Sequence, residues 1–252
     1  MSADLYLQNI LTREAVDTGP YSPVRGVQTT LNPIIQQWAG NMLSGISPSG
    51  SFAKGTANKS GTDIDLFISL SSNTNQTLKE IYESLFARMS GVGYTPKRQN
   101  VSINVTVNGY RVDLVPAKRQ DSYSEDHSLY RRRADSWTKT NITKHISHVR
   151  LGGRINETRV LKLWRNQKDL DFPSFYLELT IINALTGQYG GLSTNVWKVF
   201  EYLRDSFENG RVVDPANTNN IISDDLTAAE KSKIKAAAKL ALAATNWEQI
   251  VK

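Results

Sequence analysis

Two aspartates stand in and beside a short apolar segment, and they limit how the chain can fold around them. Residues 64–70 read IDLFISL, which is apolar and β-branched as a buried strand is. Side chains two residues apart on a strand point to the same face, so Asp63 and Asp65 are expected to lie together. Two carboxylates on one face repel one another unless a cation joins them. The segment therefore predicts a strand that presents carboxylates to a cation.

A third aspartate follows in a predicted hairpin. The segment SINVTVNG alternates apolar and polar residues, and Asn108-Gly109 is a typical two-residue hairpin turn. The returning strand, YRVDLVPA, carries Asp113. If this strand lies beside IDLFISL, Asp113 joins the first two aspartates. Carboxylate oxygens suit Mg²⁺, and three of these groups can hold two ions, one at an attacking hydroxyl and one at a triphosphate.

A Gly-Ser pair at positions 50 and 51 precedes the aspartates in the chain. Glycine lets backbone N–H groups approach a phosphate closely, and the serine hydroxyl can donate to the same oxygen. The spacing of a Walker loop is absent. Each motif alone is typical of an ordinary turn or cap, whereas their order along the chain favours a site where phosphate and metal meet.

The composition of the chain excludes several kinds of site and of protein. The chain has 252 residues, a formal net charge of +6 and no cysteine, which excludes disulfides, thiolate zinc sites and cysteine nucleophiles. The basic charge favours anionic partners such as nucleotides. No apolar run approaches the roughly 20 residues that cross a membrane, and the N-terminal segment lacks the apolar core of a secretory signal. We therefore expect a cytoplasmic protein without a membrane partner.

The pattern of elements changes along the chain. Apolar residues at helical spacing predict a helix within residues 24–45 that ends at Gly45, with Pro33 as a kink or break. A second helix is predicted over residues 76–90, capped by Thr74 or Asn75.

Beyond these elements, residues 119–143 are polar and basic, and we expect them to be irregular. From about residue 156 onwards the sequence predicts helices, the last of them begun by a capping box of Thr227 and Glu230. Two domains are therefore predicted: a catalytic lobe with an N-terminal helix over residues 1–150, and a helical C-terminal lobe over residues 151–252.

The order of these motifs resembles the polymerase-β-type nucleotidyltransferases. The segment GSFAKGTANKSGTDIDLFI is similar to the branch that holds archaeal CCA-adding enzymes, oligoadenylate synthetases, cyclic GMP-AMP synthase and bacterial cyclic-oligonucleotide synthases (CD-NTases, SMODS-type). VDLVPA, LKLWRNQ with FPSFYLELTIINAL, and VVDPANTNNI resemble further segments of that branch, and SWTKTNITKHISHV resembles another, with Ile142 where proline is usual. The resemblance implies an α+β fold of two lobes, with a mixed β-sheet in the catalytic lobe and a helical C-terminal lobe.

The resemblance also implies a role for each motif residue. Asp63, Asp65 and Asp113 would be catalytic and would hold two Mg²⁺ ions, which Mn²⁺ can replace. Gly50 and Ser51 would bind the β- and γ-phosphates of the donor nucleotide. Two residues of the C-terminal half would contact the triphosphate, Lys162 and Ser174.

The function implied is metal-dependent transfer of a nucleoside monophosphate from an NTP to a ribose hydroxyl, with release of pyrophosphate. The product would be a cyclic or short linear oligonucleotide second messenger of the anti-phage signalling type. Implied partners are ATP, GTP or other NTPs, a nucleic-acid or protein activator, and a downstream effector that binds the product. Two alternatives stay open: transfer to a tRNA 3′ end or to a protein, and a nucleotide-binding sensor without turnover.

Overall fold

The computed structural model describes residues 2–61 and 63–252 of the chain. Its α-helices are α1 (Ala3–Arg13), α2 (Pro23–Ala39), α3 (Gly50–Lys54), α4 (Leu78–Gly91), α5 (Ile142–Leu151), α6 (Ile155–Gln167), α7 (Ser174–Ala184), α8 (Leu192–Asp205) and α9 (Ala228–Leu242). Its strands are β1 (Leu43–Ser49), β2 (Ile64–Leu70), β3 (Lys97–Arg98), β4 (Ile103–Val107), β5 (Tyr110–Arg119), β6 (His127–Arg131), β7 (Ser136–Thr140), β8 (Val213–Asp214) and β9 (Asn217–Ile221).

The chain divides into two compact units, each made of separate stretches of sequence. The sheet unit contains Val16–Lys54 and residues 63–146, and the helical unit contains residues 2–15, Gly55–Gly61 and Ser147–Lys252. The division at residue 150 that the sequence suggests stays a prediction. No helix in the part of the chain that the structure describes has the length and apolar character that a membrane span requires.

The sheet unit is built on a mixed sheet in which β2 and β5 are central. The strand order is β1-β2-β5-β4-β3, and β6 joins the far end of β5 and pairs with β7. β2 and β5 run parallel, whereas β1 pairs with β2 and β4 pairs with β5 in the antiparallel sense. The predicted α+β fold with a mixed sheet is confirmed.

The two faces of β2 have different environments because its side chains alternate. Ile64, Leu66 and Ile68 are fully buried in a core that also contains residues of α2 and α4. Asp65 and Phe67 point to the opposite face. The sheet therefore has one closed apolar face and one face on which carboxylates and apolar groups alternate.

The predicted hairpin turn is confirmed. Asn108 and Gly109 have φ angles of 52° and 83°, which is the left-handed conformation that a two-residue turn between β4 and β5 requires. Val107 pairs with Tyr110 across the turn. Asparagine and glycine accept positive φ more readily than other residues, so the local sequence determines this register.

Two predictions about element ends were wrong. The helix α2 ends at Ala39, followed by Gly40 with a φ of 51°, and it does not reach Gly45. Residues from Leu43 onwards form β1 instead, because pairing with β2 satisfies their backbone groups. Helix α4 is capped by Thr77, whose side chain accepts from the Glu80 N–H in a capping box, and not by Thr74 or Asn75. The capping box of Thr227 and Glu230 on α9 is confirmed.

The expectation that residues 119–143 are irregular was also wrong. They contain β6 and β7, which pair in the antiparallel sense from His127 with Thr140 to Arg131 with Ser136. The sequence of these strands shows little alternation of apolar and polar residues. They form because β6 pairs with Lys118 and Arg119 of β5 and so extends the sheet. Backbone hydrogen bonds to an existing strand edge therefore override a polar local sequence.

The helical unit has an aromatic core of its own. Trp164 of α6 is fully buried and its ring lies 5.0 Å from the ring of Phe200 in α8. Phe172, Tyr176 and Phe207 form a second aromatic contact group, with ring centroids 5.1 to 5.4 Å apart. These rings hold α6, α7 and α8 together with α1 and α9 around one apolar cluster.

Candidate active site

Polar residues form a row across the centre of the sheet. Ser49 of β1 pairs with Asp65 of β2, Asp65 pairs with Asp113 of β5, and Asp113 pairs with Asn104 of β4. Paired residues on neighbouring strands point to the same face, so these side chains share one surface of the sheet. The two aspartates of the row are therefore neighbours because of the parallel pairing of β2 with β5.

Asp63 lies two residues before Asp65, just outside β2. Its Oδ2 is 3.4 Å from an Nη2 nitrogen of Arg111, and both side chains are partly exposed. An exposed ion pair of this kind contributes less than about 1 kcal/mol to stability. Arg111 therefore screens Asp63 only weakly from solvent and from other cations.

The Asp113 carboxylate is partly buried, and two side-chain amides donate to it. Its Oδ1 accepts hydrogen bonds from Asn104 Nδ2 at 2.7 Å and from Gln99 Nε2 at 3.1 Å. Burial raises the pKa of the Asp113 carboxyl above its usual range, the hydrogen bond from Asn104 lowers it, and the negative charge of Asp63 raises it. The environment thus favours a cation at this carboxylate, since a cation would offset the cost of burying the charge.

Gly50 lies directly against Asp65. Its φ of +58° is in the left-handed region, and a Cβ built on it would be 1.8 Å from Asp65 Oδ2. Glycine is therefore required both for the conformation and for the close approach of backbone to carboxylate. Ser51 follows in the short helix α3 and is half-buried. The structure thus brings the Gly-Ser motif and the row of carboxylates together.

A cavity of about 140 Å³ opens on the same face of the sheet. Phe67 and Val115, which line it, come two residues after Asp65 and Asp113 on their strands. Its other lining residues are Ser49, Gly50, Lys54, Leu129, Thr140, Ile142, His145 and Ile146. The cavity combines apolar walls with polar side chains, as ligand sites do, but its volume lies below the roughly 300–1,000 Å³ that is usual for them.

The three carboxylates have the chemistry that a hard divalent cation prefers. Within residues 2–61 and 63–252, however, no three His, Cys, Asp or Glu side chains are gathered closely enough to form a ready metal site. Asp63 is engaged by Arg111, and Asp113 by two amides. The donor set fits a metal ion, and binding one requires these side chains to adjust.

Lys162 is buried in the helical unit, where it contacts two other buried side chains. Its Nζ lies 2.7 Å from Glu178 Oε1 and 2.8 Å from the Thr56 hydroxyl, and that hydroxyl also donates to Glu178 Oε1 at 2.9 Å. The attraction between the two charges and the hydrogen bond with Thr56 offset part of the cost of burying them. The contact with triphosphate stays a prediction, and it would require Lys162 to exchange or share this carboxylate partner.

Ser174 is exposed at the first residue of α7 and has a cationic neighbour that the sequence did not single out. Its Oγ lies 2.9 Å from Arg165 Nη1, and the same nitrogen donates to the Phe172 carbonyl at 2.7 Å. The guanidinium of Arg165 is therefore positioned by the chain segment that leads into α7. The proposed role of Ser174 at the triphosphate stays a prediction.

Sequence reasoning missed four residues of these environments: Gln99, Asn104, Arg165 and Glu178. Asn104 could have been found, because a two-residue turn at Asn108-Gly109 places it opposite Asp113. Gln99, Arg165 and Glu178 approach their partners through tertiary packing, and no local pattern marks them.

Comparison with known proteins agrees with this geometry. Residues 36–135, which include the three aspartates and the Gly-Ser pair, match the nucleotidyltransferase domain family. A cyclic AMP-AMP-AMP synthase from Escherichia coli (strain MS 115-1) is 26% identical over 162 residues, covering 57% of this chain and 50% of that protein. The match therefore spans only about half the length of this curated relative.

Solved structures extend the similarity to nearly the whole chain. The E. coli MS115-1 CdnC structure with ATP superposes with a TM-score of 0.80 at 20% identity, covering 99% of this chain and 97% of the other. The CdnE cyclic dinucleotide synthase of Elizabethkingia meningoseptica, solved with GTP and Apcpp, gives a TM-score of 0.71 at 16% identity, covering 95% and 99%. CdnC is also known in a complex with HORMA-deltaN.

These similarities confirm the resemblance drawn from the motifs. The domain match covers strands β1 to β6 and the three aspartates, and the structural match covers both units. Residues 36–135 match the nucleotidyltransferase domain family, and the chain as a whole has the polymerase-β-like fold that the CD-NTase structures share.

Proposed function

We propose that this protein is a Mg²⁺-dependent nucleotidyltransferase that joins NTPs into a cyclic or short linear oligonucleotide and releases pyrophosphate. One observation carries the proposal: Asp65 and Asp113 are direct neighbours across parallel strands, and Gly50 lies against Asp65 without room for a side chain. This arrangement supports a site in which donor phosphates and metal-bound carboxylates meet. The proposal assigns the catalytic lobe to residues 1–150 and the helical lobe to residues 151–252.

Asp63, Asp65 and Asp113 are the proposed ligands of two divalent ions, Mg²⁺ or Mn²⁺. When bound, the ions would neutralise the triphosphate and lower the pKa of the attacking ribose hydroxyl. Gly50 and Ser51 would bind the β- and γ-phosphates of the donor. Lys162 and Ser174 are proposed to contact the triphosphate. Catalysis of this kind rests on positioning and on stabilisation of charge in the transition state.

The proposed product and partners follow from the relatives. The cyclic AMP-AMP-AMP synthase similarity supports an oligonucleotide product, and the structures solved with ATP, GTP and Apcpp support NTP substrates. The CdnC:HORMA-deltaN complex supports a protein activator, and a role in anti-phage signalling with a product-binding effector is proposed on the same ground. A cytoplasmic location is proposed as well, since NTPs and Mg²⁺ are supplied there.

The test is incubation of the purified protein with labelled NTPs and Mg²⁺ or Mn²⁺, with and without RNA, followed by analysis of products. We expect pyrophosphate and oligonucleotide to form without RNA. Label on RNA instead would indicate transfer to a polynucleotide end. Tight NTP binding without pyrophosphate under every condition, including added candidate activators, would indicate a sensor.

A charge-matched pair of variants links any activity to the site. Asp63→Asn with Asp65→Asn should abolish turnover and leave the circular-dichroism spectrum unchanged, because the change keeps the side-chain size and removes the metal ligands. Asp169→Asn with Asp171→Asn alters the same charge at the same spacing on an exposed segment of the helical unit and should keep full activity. Full activity in the first double variant would refute the metal assignment.

A further inference from the structure

The Asp113 carboxylate has a fixed neighbour on the next strand. Asn104 of β4 is paired with Asp113 of β5 in the antiparallel register. Directly opposed residues have their Cβ atoms about 5 Å apart and share a face of the sheet. Asn104 is 6% exposed, so its amide is buried beside the carboxylate and must find partners within the protein.

Two amides converge on one oxygen of Asp113. Asn104 Nδ2 lies 2.7 Å from Asp113 Oδ1, and Gln99 Nε2 lies 3.1 Å from the same atom. Hydrogen bonds to an ionised carboxylate are stronger than neutral ones, and donors from two directions restrict rotation of the carboxylate plane. We call Gln99 and Asn104 the amide clamp.

The orientation of Gln99 is itself determined by its neighbours. The Ser102 hydroxyl donates to Gln99 Oε1 at 3.3 Å, which leaves the NH₂ end of the amide directed at Asp113. The Gln99 carbonyl accepts from the Tyr82 hydroxyl at 2.9 Å and from Arg132 Nε at 3.3 Å. The Tyr82 hydroxyl also donates to the Ser102 carbonyl at 3.0 Å, so one residue of α4 holds both ends of this turn.

We propose that Gln99 and Asn104 are positioning residues of the nucleotidyltransferase site: the amide clamp holds the Asp113 carboxylate in the orientation in which it binds a divalent ion. The inference rests on the proposed function, since it requires Asp113 to be a metal ligand. Loss of a group that hydrogen-bonds a ligating carboxylate typically lowers metal affinity or activity by about 10- to 100-fold. Tyr82 acts one step further out, through the Gln99 carbonyl, whereas the Ser102 side chain hydrogen-bonds both to Gln99 and to the Asp113 carboxylate.

The test measures Mn²⁺ binding by electron paramagnetic resonance in the presence of a non-hydrolysable ATP analogue, so that it does not depend on turnover. Asn104→Leu and Gln99→Met remove each amide donor while keeping similar volume. We expect each to weaken Mn²⁺ binding, the Asn104 change by about 10- to 100-fold. With NTP substrates, kcat should fall while the KM for NTP stays within about twofold, because the clamp touches no phosphate-binding residue.

Thr106→Val is the matched control, since Thr106 lies two residues along β4 from Asn104 and is exposed opposite Arg111. It should bind Mn²⁺ as the unchanged protein does. If Asn104→Leu does not fold, the Mn²⁺ affinity of Gln99→Met tests the proposal by itself. This variant is expected to fold, because Gln99 precedes β4 and is only half-buried. Mn²⁺ affinity within threefold of the unchanged protein in every folded clamp variant overturns the proposal, as does an unchanged protein that binds no Mn²⁺. Clamp-dependent Mn²⁺ binding without any NTP product supports the clamp and refutes the proposed function instead.

Discussion

The contact between Gly50 and Asp65 leads to a sharp prediction about a single methyl group. Gly50→Ala adds a Cβ at a position 1.8 Å from Asp65 Oδ2 and 2.5 Å from its Cγ. Real Cβ contacts are longer than 3.0 Å, so the carboxylate or the backbone must move by more than 1 Å. The residue that must move is a proposed metal ligand.

The expected effects on stability and on activity differ in size. An L-residue at a φ of +58° costs about 1–2 kcal/mol relative to glycine. For a protein of this length that loss corresponds to a decrease in Tm of roughly 2–8 °C. A displacement of about 1 Å in a catalytic group can reduce the rate by about 100-fold. We therefore expect modest destabilisation together with a loss of product formation of about 100-fold or more.

The assay pairs thermal unfolding with initial rates of pyrophosphate release from NTP. Gly45→Ala is the control, because Gly45 lies on β1, has no positive φ, and a Cβ there would meet no atom within 4 Å. The control should keep both Tm and rate. A Gly50→Ala protein with a rate within twofold of the unchanged protein would show that the approach to Asp65 is irrelevant to chemistry.

Two further predictions concern the folded state. The buried His127 ring, which contacts the Ser69 hydroxyl and the Glu125 carbonyl at 2.8 and 2.9 Å, has its pKa lowered by desolvation. The unfolded chain therefore binds the proton more readily than the folded protein does. The contribution of His127 to the free energy of unfolding should be constant above about pH 6.5 and should fall as the pH drops below that value. Urea denaturation from pH 5 to 8 should show a smaller acid loss in His127→Gln, and equal slopes would contradict the reasoning. Trp164→Ala empties the core beside Phe200 and should cost about 3–5 kcal/mol in unfolding free energy; a loss below about 1 kcal/mol would refute that estimate of its packing.

Local sequence determined those elements whose cause lies within a few residues. Asn108 and Gly109 accept positive φ, and this places Val107 opposite Tyr110 and so Asn104 opposite Asp113. Thr227 and Glu230 satisfy the first N–H groups of α9 by themselves. The apolar, β-branched character of IDLFISL predicts a buried strand, and β2 is buried. In the turn and in the cap, the stabilising contact joins neighbours in sequence, whereas the burial of β2 was predicted from its composition alone.

Local sequence patterns predicted only part of the candidate site. The aspartates and the Gly-Ser pair were recognised by type and order, and their roles remain predictions. The parallel pairing that brings Asp65 beside Asp113 joins strands almost fifty residues apart, so no local propensity specifies it. The requirement for glycine at position 50 appears only when Asp65 is seen against it.

Tertiary structure alone decided the features whose partners are distant in sequence. The sequences of β1 and β7 do not strongly predict strands. Both form because the neighbouring strands, β2 and β6, offer backbone groups with which they can pair. Lys162 reads as an ordinary helix lysine, yet packing buries it against Glu178 and Thr56, the latter 106 residues away. Sequence thus determined the chemistry available and the short-range turns and caps, whereas burial and strand pairing, which depend on the whole chain, decided which of these groups meet.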